Sequence, residues 1–311
     1  MRAGVYERYG PPEVLQLKEV GKPDPKPDEV LIRIHTTTVH IGDVRMRKPD
    51  PFLARLVNGI FKPRRIPILG MELAGEVESV GSSVSRFEPG DEVFGFAGFS
   101  FGAYAEYICL PEEGTTNKGL VAKKPQNLSY EEAAALPGGG MTALALIKKA
   151  NIQPGQAILI YGASGSIGTY ALQLAKHQGA QVTAVCSGPN LEMVKSLGAD
   201  QAIDYTRQDF TQADEQYDVI LDAVHKLDRR HAKKSLKDGG IYLDAHKDSD
   251  SDPKAGSETM DKLKALAEKG ALKPVIDRRY TLEQIVEAHH YVEQGHKTGN
   301  VIVTVLPGSD N

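Results

Sequence analysis

Three glycines, Gly162, Gly165 and Gly168, follow one another at three-residue spacing between two apolar stretches. Residues 157–161 before them have the composition of a buried strand, and residues 170–175 after them have helical periodicity. Glycines let a chain turn sharply off a strand, let backbone N–H groups approach a pyrophosphate, and let a helix pack closely on a sheet. The pattern therefore predicts a dinucleotide cradle facing a helix N-terminus.

The residues of this predicted cradle are consecutive: Gly162, Ala163, Ser164, Gly165, Ser166, Ile167 and Gly168. The same kind of turn also occurs where it serves packing alone, and the glycines by themselves leave that alternative open.

The elements around the cradle alternate between strand and helix. Strands are predicted at 157–161, 181–185, 201–203, 219–221 and 241–243, and helices at 166–177, 190–197 and 229–236. Such alternation implies parallel βαβ units, and hence a cofactor domain of the Rossmann type.

The chain before residue 126 has an all-β pattern, with short strands predicted at 14–20, 29–39, 72–80, 91–96 and 103–110. Ser129 and Glu132 then form a capping box ahead of a helix. Beyond Lys273, a helix starting at Thr281 and a strand at 300–305 are expected to return to the first domain. We therefore predict a discontinuous domain of residues 1–125 and 271–311 and a cofactor domain of residues 126–270.

The flanks of the glycine turn resemble the quinone oxidoreductase and zeta-crystallin signature of the medium-chain dehydrogenase/reductase superfamily. The matching residues are Gly155, Gln156, Leu159, Ala163, Ser164, Gly165, Gly168, Gln173 and Lys176. Ser166 stands where the signature has a further glycine, which ordinary helical backbone angles would tolerate.

The resemblance extends over nearly the whole chain, through segments 68–81, 87–95, 102–111, 128–144, 197–205 and 273–305. It implies an α/β fold with a GroES-like β-rich catalytic domain and a Rossmann domain, a doubly wound parallel sheet that binds the cofactor.

The composition favours a protein that acts on small ligands. A length of 311 residues suffices for two domains, and 37 Lys and Arg against 41 Asp and Glu do not indicate a nucleic-acid or membrane partner.

Cys109 and Cys186 form no CxxC pair and are expected to be buried thiols in a reducing compartment. With no apolar run of about 18 residues and no secretory h-region, the expected location is cytoplasmic.

Zinc enzymes of the superfamily use a Cys/His/Cys catalytic site and often a four-cysteine structural site. Where they have Gly-His-Glu, this chain has Gly70-Met71-Glu72, and segment 39–45 contains no cysteine. We therefore expect no metal site. The histidines His289, His290 and His296 are expected to lie on the solvent face of a helix or just after it.

Cofactor choice should depend on the end of the second cofactor-domain strand, where an acid would bind the ribose 2′-hydroxyl of NAD. Residues 184–188 read AVCSG and contain no acid. Ser187 and Asn190 could instead bind a 2′-phosphate, and Lys176 or Lys195 could add positive charge. NADPH is therefore the expected cofactor, although Ser187 also suits a plain turn.

Further cofactor contacts follow from the resemblance. Tyr205 resembles an adenosine-side contact, with core packing as its alternative role. Thr142 resembles a residue that binds the nicotinamide ribose or amide, and Ala223 and Val224 resemble residues that border the nicotinamide ring. All three nicotinamide-side residues are expected in loops or at carboxyl ends of strands.

The substrate-side candidates are His40 and Asp43. Segment 39–43, VHIGD, aligns with a Val-Asn-Pro-x-Asp element of the family, so His40 replaces an asparagine that commonly faces the substrate. His40 could donate a hydrogen bond or a proton to a substrate carbonyl, and a structural role is equally open. Asp43 is expected mainly to cap the following helix.

Segment 244–258 is acidic and lacks an apolar period, which predicts a mobile loop. Relatives usually place an edge strand here and dimerise through it. In this chain the acidic residues of the segment would repel their symmetry mates. We therefore expect a monomer or a weak homodimer.

Without a zinc Lewis acid, a simple alcohol is hard to oxidise, whereas a quinone or an activated enone accepts hydride with the help of hydrogen bonds. The resemblance thus implies a zinc-independent, NADPH-dependent quinone reductase. An enone or enoyl-thioester reductase and a non-catalytic NADPH-binding protein remain alternatives.

Overall fold

The computed structural model describes residues 1–50, 52, 54–249 and 256–306. This part of the chain divides into two units. The first holds Met1–Gly138, the helix Ser257–Glu268 and the chain from Ile276, and the second holds residues 139–249 and Lys269–Val275. These divisions differ from the limits at 125/126 and 270/271, which stay predictions.

The first unit is built on β-sheet. Its strands, numbered along the chain, are β1 Arg2–Tyr6, β2 Leu15–Glu19, β3 Glu29–Thr38, β4 Glu72–Val80, β5 Glu92–Phe96, β6 Tyr107–Pro111, β7 Leu120–Lys123, β13 Ile276–Thr281 and β14 Asn300–Thr304. Seven of them form one sheet in the order β13-β14-β3-β4-β5-β7, with β6 also paired to β3, while β1 and β2 pair separately. This is the β-rich domain that the turn pattern predicted.

Five helices accompany these strands in the described residues: α1 Ile41–Arg47, α2 Ala54–Asn58, α3 Tyr130–Ala135, α8 Ser257–Glu268 and α9 Ile285–Glu293. The capping box that begins α3 is present, since the Glu132 N–H donates to Ser129 Oγ at 3.2 Å and the Ser129 N–H donates to Glu132 Oε2 at 2.9 Å. Ahead of α9, Gln284 Oε1 accepts from the Thr281 N–H at 3.0 Å.

The second unit contains a five-stranded parallel sheet in its described residues. The strands are β8 Ala157–Tyr161, β9 Gln181–Cys186, β10 Gln201–Asp204, β11 Tyr217–Asp222 and β12 Leu236–Asp244, in the order β10-β9-β8-β11-β12. The helices are α5 Ser166–His177, α6 Leu191–Ser196 and α7 Arg229–Ala232, and α4 Pro137–Ala150 begins just before the division. Since the chain reverses its winding direction at β8, the predicted doubly wound fold is confirmed.

The segment predicted as a mobile loop is not irregular throughout. Asp244 is the last residue of β12, and α8 begins at Ser257, so both ends of the segment belong to regular elements. Residues 250–255, the middle of that prediction, lie outside the described residues. No described helix is long and apolar enough to cross a bilayer.

Candidate active site

The glycine turn begins at Gly162, whose φ of +78° is left-handed. Its N–H donates to Val185 O at 2.9 Å, which ties the turn to β9. A Cβ at Gly168 would lie 2.2 Å from Gly162 O, so this position admits only glycine at the observed packing distance. Ser166 is the first residue of α5, which explains why a serine is accommodated there.

Open space lies above the N-terminus of α5. A Cβ at Gly165 would meet only Gly162 O, at 3.5 Å. The first N–H groups of a helix have no intrahelical acceptor, and in a 12-residue helix they add to the positive end of the helix dipole. The turn therefore fits a pyrophosphate.

The adenosine-side candidates gather beyond this turn, at the ends of β9 and β10. The Asn190 side-chain amide donates to Ser187 Oγ at 3.1 Å within a short 3-10 turn. The Tyr205 ring is 49% exposed and lies 6.1 Å from that of Tyr161, centroid to centroid. Tyr205 is thus available to a ligand and is not a core residue.

Two lysines were expected to add positive charge at this site, and the structure places Lys176 away from it. Lys176 lies in the last turn of α5, roughly 15 Å along the axis from the phosphate end, since a helix rises about 1.5 Å per residue. Its ammonium pairs with Asp200 at 2.8 Å. The assignment of Lys176 to a 2′-phosphate is therefore wrong, while Lys195 pairs with Glu192 at 3.1 Å.

Sequence reasoning missed an acid beside the Ser187 turn. A Cβ at Gly188 would lie 2.7 Å from Asp204 Oδ2, so this carboxylate borders the turn. Hydrogen bonds from Thr206 lower the pKa of Asp204 and keep it ionised. The Arg207 guanidinium lies 3.8 Å from the same carboxylate and is 85% exposed. Both strands were predicted from the sequence. Their parallel pairing places Asp204 opposite Cys186 and so brings the carboxylate to the turn that follows β9.

On the nicotinamide side, Ala223 and Val224 follow β11 next to the glycine turn. The Ala223 N–H donates to Tyr161 O at 2.9 Å, and a Cβ at Gly162 would lie 2.5 Å from a Val224 methyl group. Thr142, by contrast, lies within α4 and not in a loop, which corrects the sequence expectation. The cofactor roles of these residues stay predictions.

His40 is held by its own helix terminus. It is the N-cap of α1, and its Nδ1 accepts the Gly42 N–H at 3.0 Å. Because Nδ1 accepts, the ring proton of the neutral imidazole is on Nε2. Burial, helped by Lys297 and Arg45, lowers the pKa of His40 to about 4. The side chain is therefore a neutral Nε2–H donor at physiological pH.

Asp43 is not the N-cap, as the sequence suggested, but the third residue of the helix in a capping box with His40. Its Oδ2 accepts the His40 N–H at 2.9 Å, and its Oδ1 accepts the Gly70 N–H at 2.8 Å. The residue is fully buried, and burial raises its pKa to about 7 against these hydrogen bonds. Both oxygens thus fix the loop that presents His40.

Two further ionisable groups lie near His40 and were not singled out from the sequence. Glu72, 1% exposed, accepts the Gly138 N–H at 2.6 Å and the Thr38 hydroxyl. Burial raises the pKa of Glu72 to about 7 and lowers that of Lys297 to about 8, and each is partly stabilised by the charge of the other. No sequence motif marked Lys297.

The three C-terminal histidines do not share one environment. His289 is fully buried, with its Nε2 3.0 Å from the Tyr104 hydroxyl, and burial lowers its pKa to about 3. The prediction that His289 lies on the solvent face is wrong. His290 is exposed and lies 2.7 Å from Glu13, and His296 is exposed, as expected.

Comparison with known proteins assigns the family. Residues 26–120 match the family described as alcohol dehydrogenase GroES-like domain, and residues 166–242 and 244–303 match families described as zinc-binding dehydrogenase. The chain is 36% identical over 328 residues to 2-methylene-furan-3-one reductase of Solanum lycopersicum, covering 99% of this chain and 80% of that relative. The chain belongs to the medium-chain dehydrogenase/reductase superfamily.

Other members are similarly close. The chain is 32% identical over 328 residues to the chloroplastic NADPH-dependent alkenal/one oxidoreductase of Arabidopsis thaliana, covering 99% of this chain and 80% of that protein. Among solved structures, quinone oxidoreductase from Coxiella burnetii has a TM-score of 0.86 at 29% identity, covering 98% of this chain and 99% of that one.

Two of the matched families are described as zinc-binding dehydrogenases, but the described side chains do not form the zinc site that this description suggests. Met71 is buried where the zinc enzymes have histidine, and a thioether is a poor ligand for zinc. Across residues 1–50, 52, 54–249 and 256–306, no three His, Cys, Asp or Glu side chains form a group that could hold a metal ion.

The buried carboxyl of Glu72 should make stability depend on pH. Its pKa is raised to about 7 in the folded protein, so the folded state keeps a proton that the unfolded state loses near pH 4.5. This carboxyl therefore favours folding at low pH, and its contribution declines as pH rises towards 7.

We expect the unfolding free energy of the wild type, relative to that of Glu72→Gln, to fall by roughly 2 kcal/mol between pH 5 and pH 8, since one pKa unit is about 1.4 kcal/mol. His40 and His289 contribute with the opposite sign, but they are present in both proteins and cancel in the difference. Urea unfolding at the two pH values measures it, and a pH-independent difference would contradict the burial of this charge.

Proposed function

We propose that this chain is a zinc-independent, NADPH-dependent reductase that transfers hydride to a quinone or a similar activated carbonyl acceptor. The space at Gly165, at the N-terminus of α5, carries the proposal, because a Cβ there would meet only Gly162 O and the positive end of a helix favours a pyrophosphate. The substitution of Met71 for a zinc-binding histidine supports an acceptor that needs no Lewis acid.

When bound, NADPH would supply a hydride from C4 of its nicotinamide. His40 donates a hydrogen bond from Nε2–H to the acceptor oxygen that becomes negative. Because the pKa of His40 is about 4, the imidazole stays neutral and acts as a hydrogen-bond donor, while solvent supplies the proton that completes the reduction. Asp43 acts as a positioning residue, since both of its oxygens hold the turn around His40.

Reduction of a conjugated C=C bond is a second candidate within the same chemistry. The two relatives named above are a methylene-furanone reductase and an alkenal/one oxidoreductase, and their named substrates are α,β-unsaturated carbonyl compounds. A quinone is itself a conjugated enedione, so both acceptor classes take hydride at a carbon or oxygen activated by a carbonyl group.

Initial rates of NADPH consumption with a panel of quinones, 2-alkenals, methylene-furanones and enoyl thioesters test the proposal. We expect turnover with quinones or enones, unchanged by prior treatment with a chelator. Tight NADPH binding without turnover of any acceptor would favour the non-catalytic alternative, and loss of activity with the chelator would contradict zinc independence.

Ser187→Asp should move cofactor preference towards NADH. A new carboxylate at this turn would accept the ribose 2′-hydroxyl and repel a 2′-phosphate, next to the charge already present on Asp204. We expect the ratio of NADH to NADPH dissociation constants to fall about tenfold or more. Asp204→Asn is the matched variant, and in it the same ratio should rise. If the ratio moves in the same direction in both variants, the ribose 2′ position does not lie beside Ser187 and Asp204.

The proposed assembly is a monomer or a weak homodimer. β12 is an edge strand of the described sheet, with Ile241 40% exposed, and acidic residues follow it. Sedimentation over a concentration series should show dissociation in the micromolar range or no dimer. A tight dimer that Ile241→Lys dissociates would show that this edge pairs despite the charge.

The proposed compartment is the cytoplasm. Cys186 is buried and Cys109 is only partly buried, and both are free thiols, which suits a reducing environment. Localisation of the tagged chain in its own cells tests this directly.

A further inference from the structure

His225 has a left-handed backbone conformation, which is uncommon for residues other than glycine. Its φ is +55°, and it directly follows Val224 at the carboxyl end of β11. Such a conformation is strained for a histidine, and strain of this kind persists where the surrounding structure fixes the residue. A specific partner for the imidazole accounts for it.

That partner is Asp244, the last residue of β12. His225 Nδ1 lies 2.5 Å from Asp244 Oδ2, and the aspartate side chain is only 7% exposed, whereas that of His225 is 45% exposed. Asp244 Oδ1 in turn accepts the His246 N–H at 2.8 Å, which fixes the carboxylate. Because a carboxylate only accepts, Nδ1 carries a proton, and in the neutral imidazole Nε2 is left as a hydrogen-bond acceptor.

The exposed side of this pair is a cavity of about 370 Å³. Its lining includes His225, Asp244, Lys226, Arg229 and Lys247. The cavity lies at the same edge of the sheet as the glycine turn, since β8, β11 and β12 are parallel neighbours.

The order of the strands decides which half of a dinucleotide this edge would receive. Ser187 and Tyr205 follow β9 and β10 on one side of the phosphate turn, and His225 and Asp244 lie on the other side. The two nucleosides of a dinucleotide extend in opposite directions from its pyrophosphate. With strands about 4.8 Å apart, the end of β12 lies roughly 10 Å from β8, within reach of a nicotinamide riboside.

We propose that the His225–Asp244 pair binds the carboxamide of the nicotinamide, whose NH₂ group donates a hydrogen bond to His225 Nε2. The pair is a positioning device that orients the ring through its one polar substituent. This inference rests on the proposed use of NADPH and assigns two residues of this chain to it.

Dissociation constants for two ligands test the location. In His225→Gly, which relieves the positive φ, we expect the dissociation constant of NADPH to rise about three- to tenfold, as for the loss of one hydrogen bond. That of 2′,5′-ADP, which lacks the nicotinamide half, should be unchanged, and the thermal unfolding midpoint should not fall. An equal loss for both ligands, or no loss for NADPH, would overturn the proposal.

A cofactor analogue tests the chemistry. The 3-acetylpyridine analogue of NADPH replaces the NH₂ group with a methyl group, so the wild type should bind it about three- to tenfold more weakly than NADPH. In His225→Gly this ratio should approach one, and equal ratios in the two proteins would overturn the assignment.

His231→Asn is the matched control, because His231 also pairs with an aspartate, Asp209, at 3.0 Å, but lies on α7. It should behave as the wild type towards both cofactors. His225→Asn, which suits the left-handed backbone, provides a second folded variant. If the wild-type protein binds no NADPH, both the proposed function and this inference are contradicted. If the wild type binds NADPH and His225→Gly binds it equally tightly, only this inference is contradicted.

Discussion

Replacing Gly165 with alanine is expected to leave the protein folded and to weaken NADPH binding by at least about tenfold. The φ of Gly165 is −78°, which alanine adopts freely, and the added Cβ would touch only Gly162 O at 3.5 Å. The methyl group would, however, occupy the space at the N-terminus of α5 where the pyrophosphate of the proposed cofactor would lie. Titration of NADPH fluorescence and thermal unfolding measure the two effects separately.

Gly168→Ala is the contrasting variant. Its Cβ would lie 2.2 Å from Gly162 O and 2.7 Å from Ala163 Cα, so backbone must move. We expect a loss of about 1–3 kcal/mol or more in unfolding free energy, as for overpacked cores. If Gly165→Ala binds NADPH as tightly as the wild type, the phosphates do not lie over this turn.

Replacing His40 with serine is expected to lower kcat/KM for the acceptor about 100-fold, the typical effect of removing one donor to a developing oxyanion. Serine is among the residues preferred at the N-cap of a helix, so α1 should remain folded. Since the imidazole Nε2–H is the group removed, the dissociation constant of NADPH should not change. Steady-state kinetics with the best acceptor, with NADPH binding as the control, measure this.

Two outcomes would contradict the role of His40. An unchanged kcat/KM would show that the imidazole serves only to cap α1. An equal loss in kcat/KM and in NADPH affinity would indicate a general disturbance of the fold.

The cofactor domain was predicted well because its signals are local. The strand at 157–161 and the helix at 166–177 have the predicted limits, since an apolar run, a glycine turn and a helical period lie side by side in the chain. The capping boxes ahead of α3 and α9 are local in the same way. The β-rich domain was predicted in outline, but β1, β7 and β13 were missed. β7 pairs with β5, which is not its neighbour in the chain, whereas β1 and β13 pair with the next strands, β2 and β14.

The side chains at the candidate site were harder to predict because their environments depend on distant elements. His289 is buried against Tyr104 and shares the buried face of α9 with Ile285, Ala288 and Val292, so the helix period did mark it. It was placed on the solvent face because histidine is more often exposed than buried. Lys176 is close to the glycine turn in sequence but lies at the far end of a helix. Asp204 is distant in sequence from Ser187 and becomes its neighbour only through the pairing of β9 with β10.

Transfer of deuterium from NADPH doubly labelled at nicotinamide C4 tests the central claim most directly. The protein, treated with a chelator, is given a 2-alkenal or a methylene-furanone, with a quinone in parallel, and the products are analysed by mass spectrometry. The account predicts NADPH consumption and one deuterium at the β-carbon of the reduced enone, or stoichiometric hydroquinone formation with the quinone. NADPH consumption without deuterium in the enone product, or no consumption with either acceptor class, would contradict it.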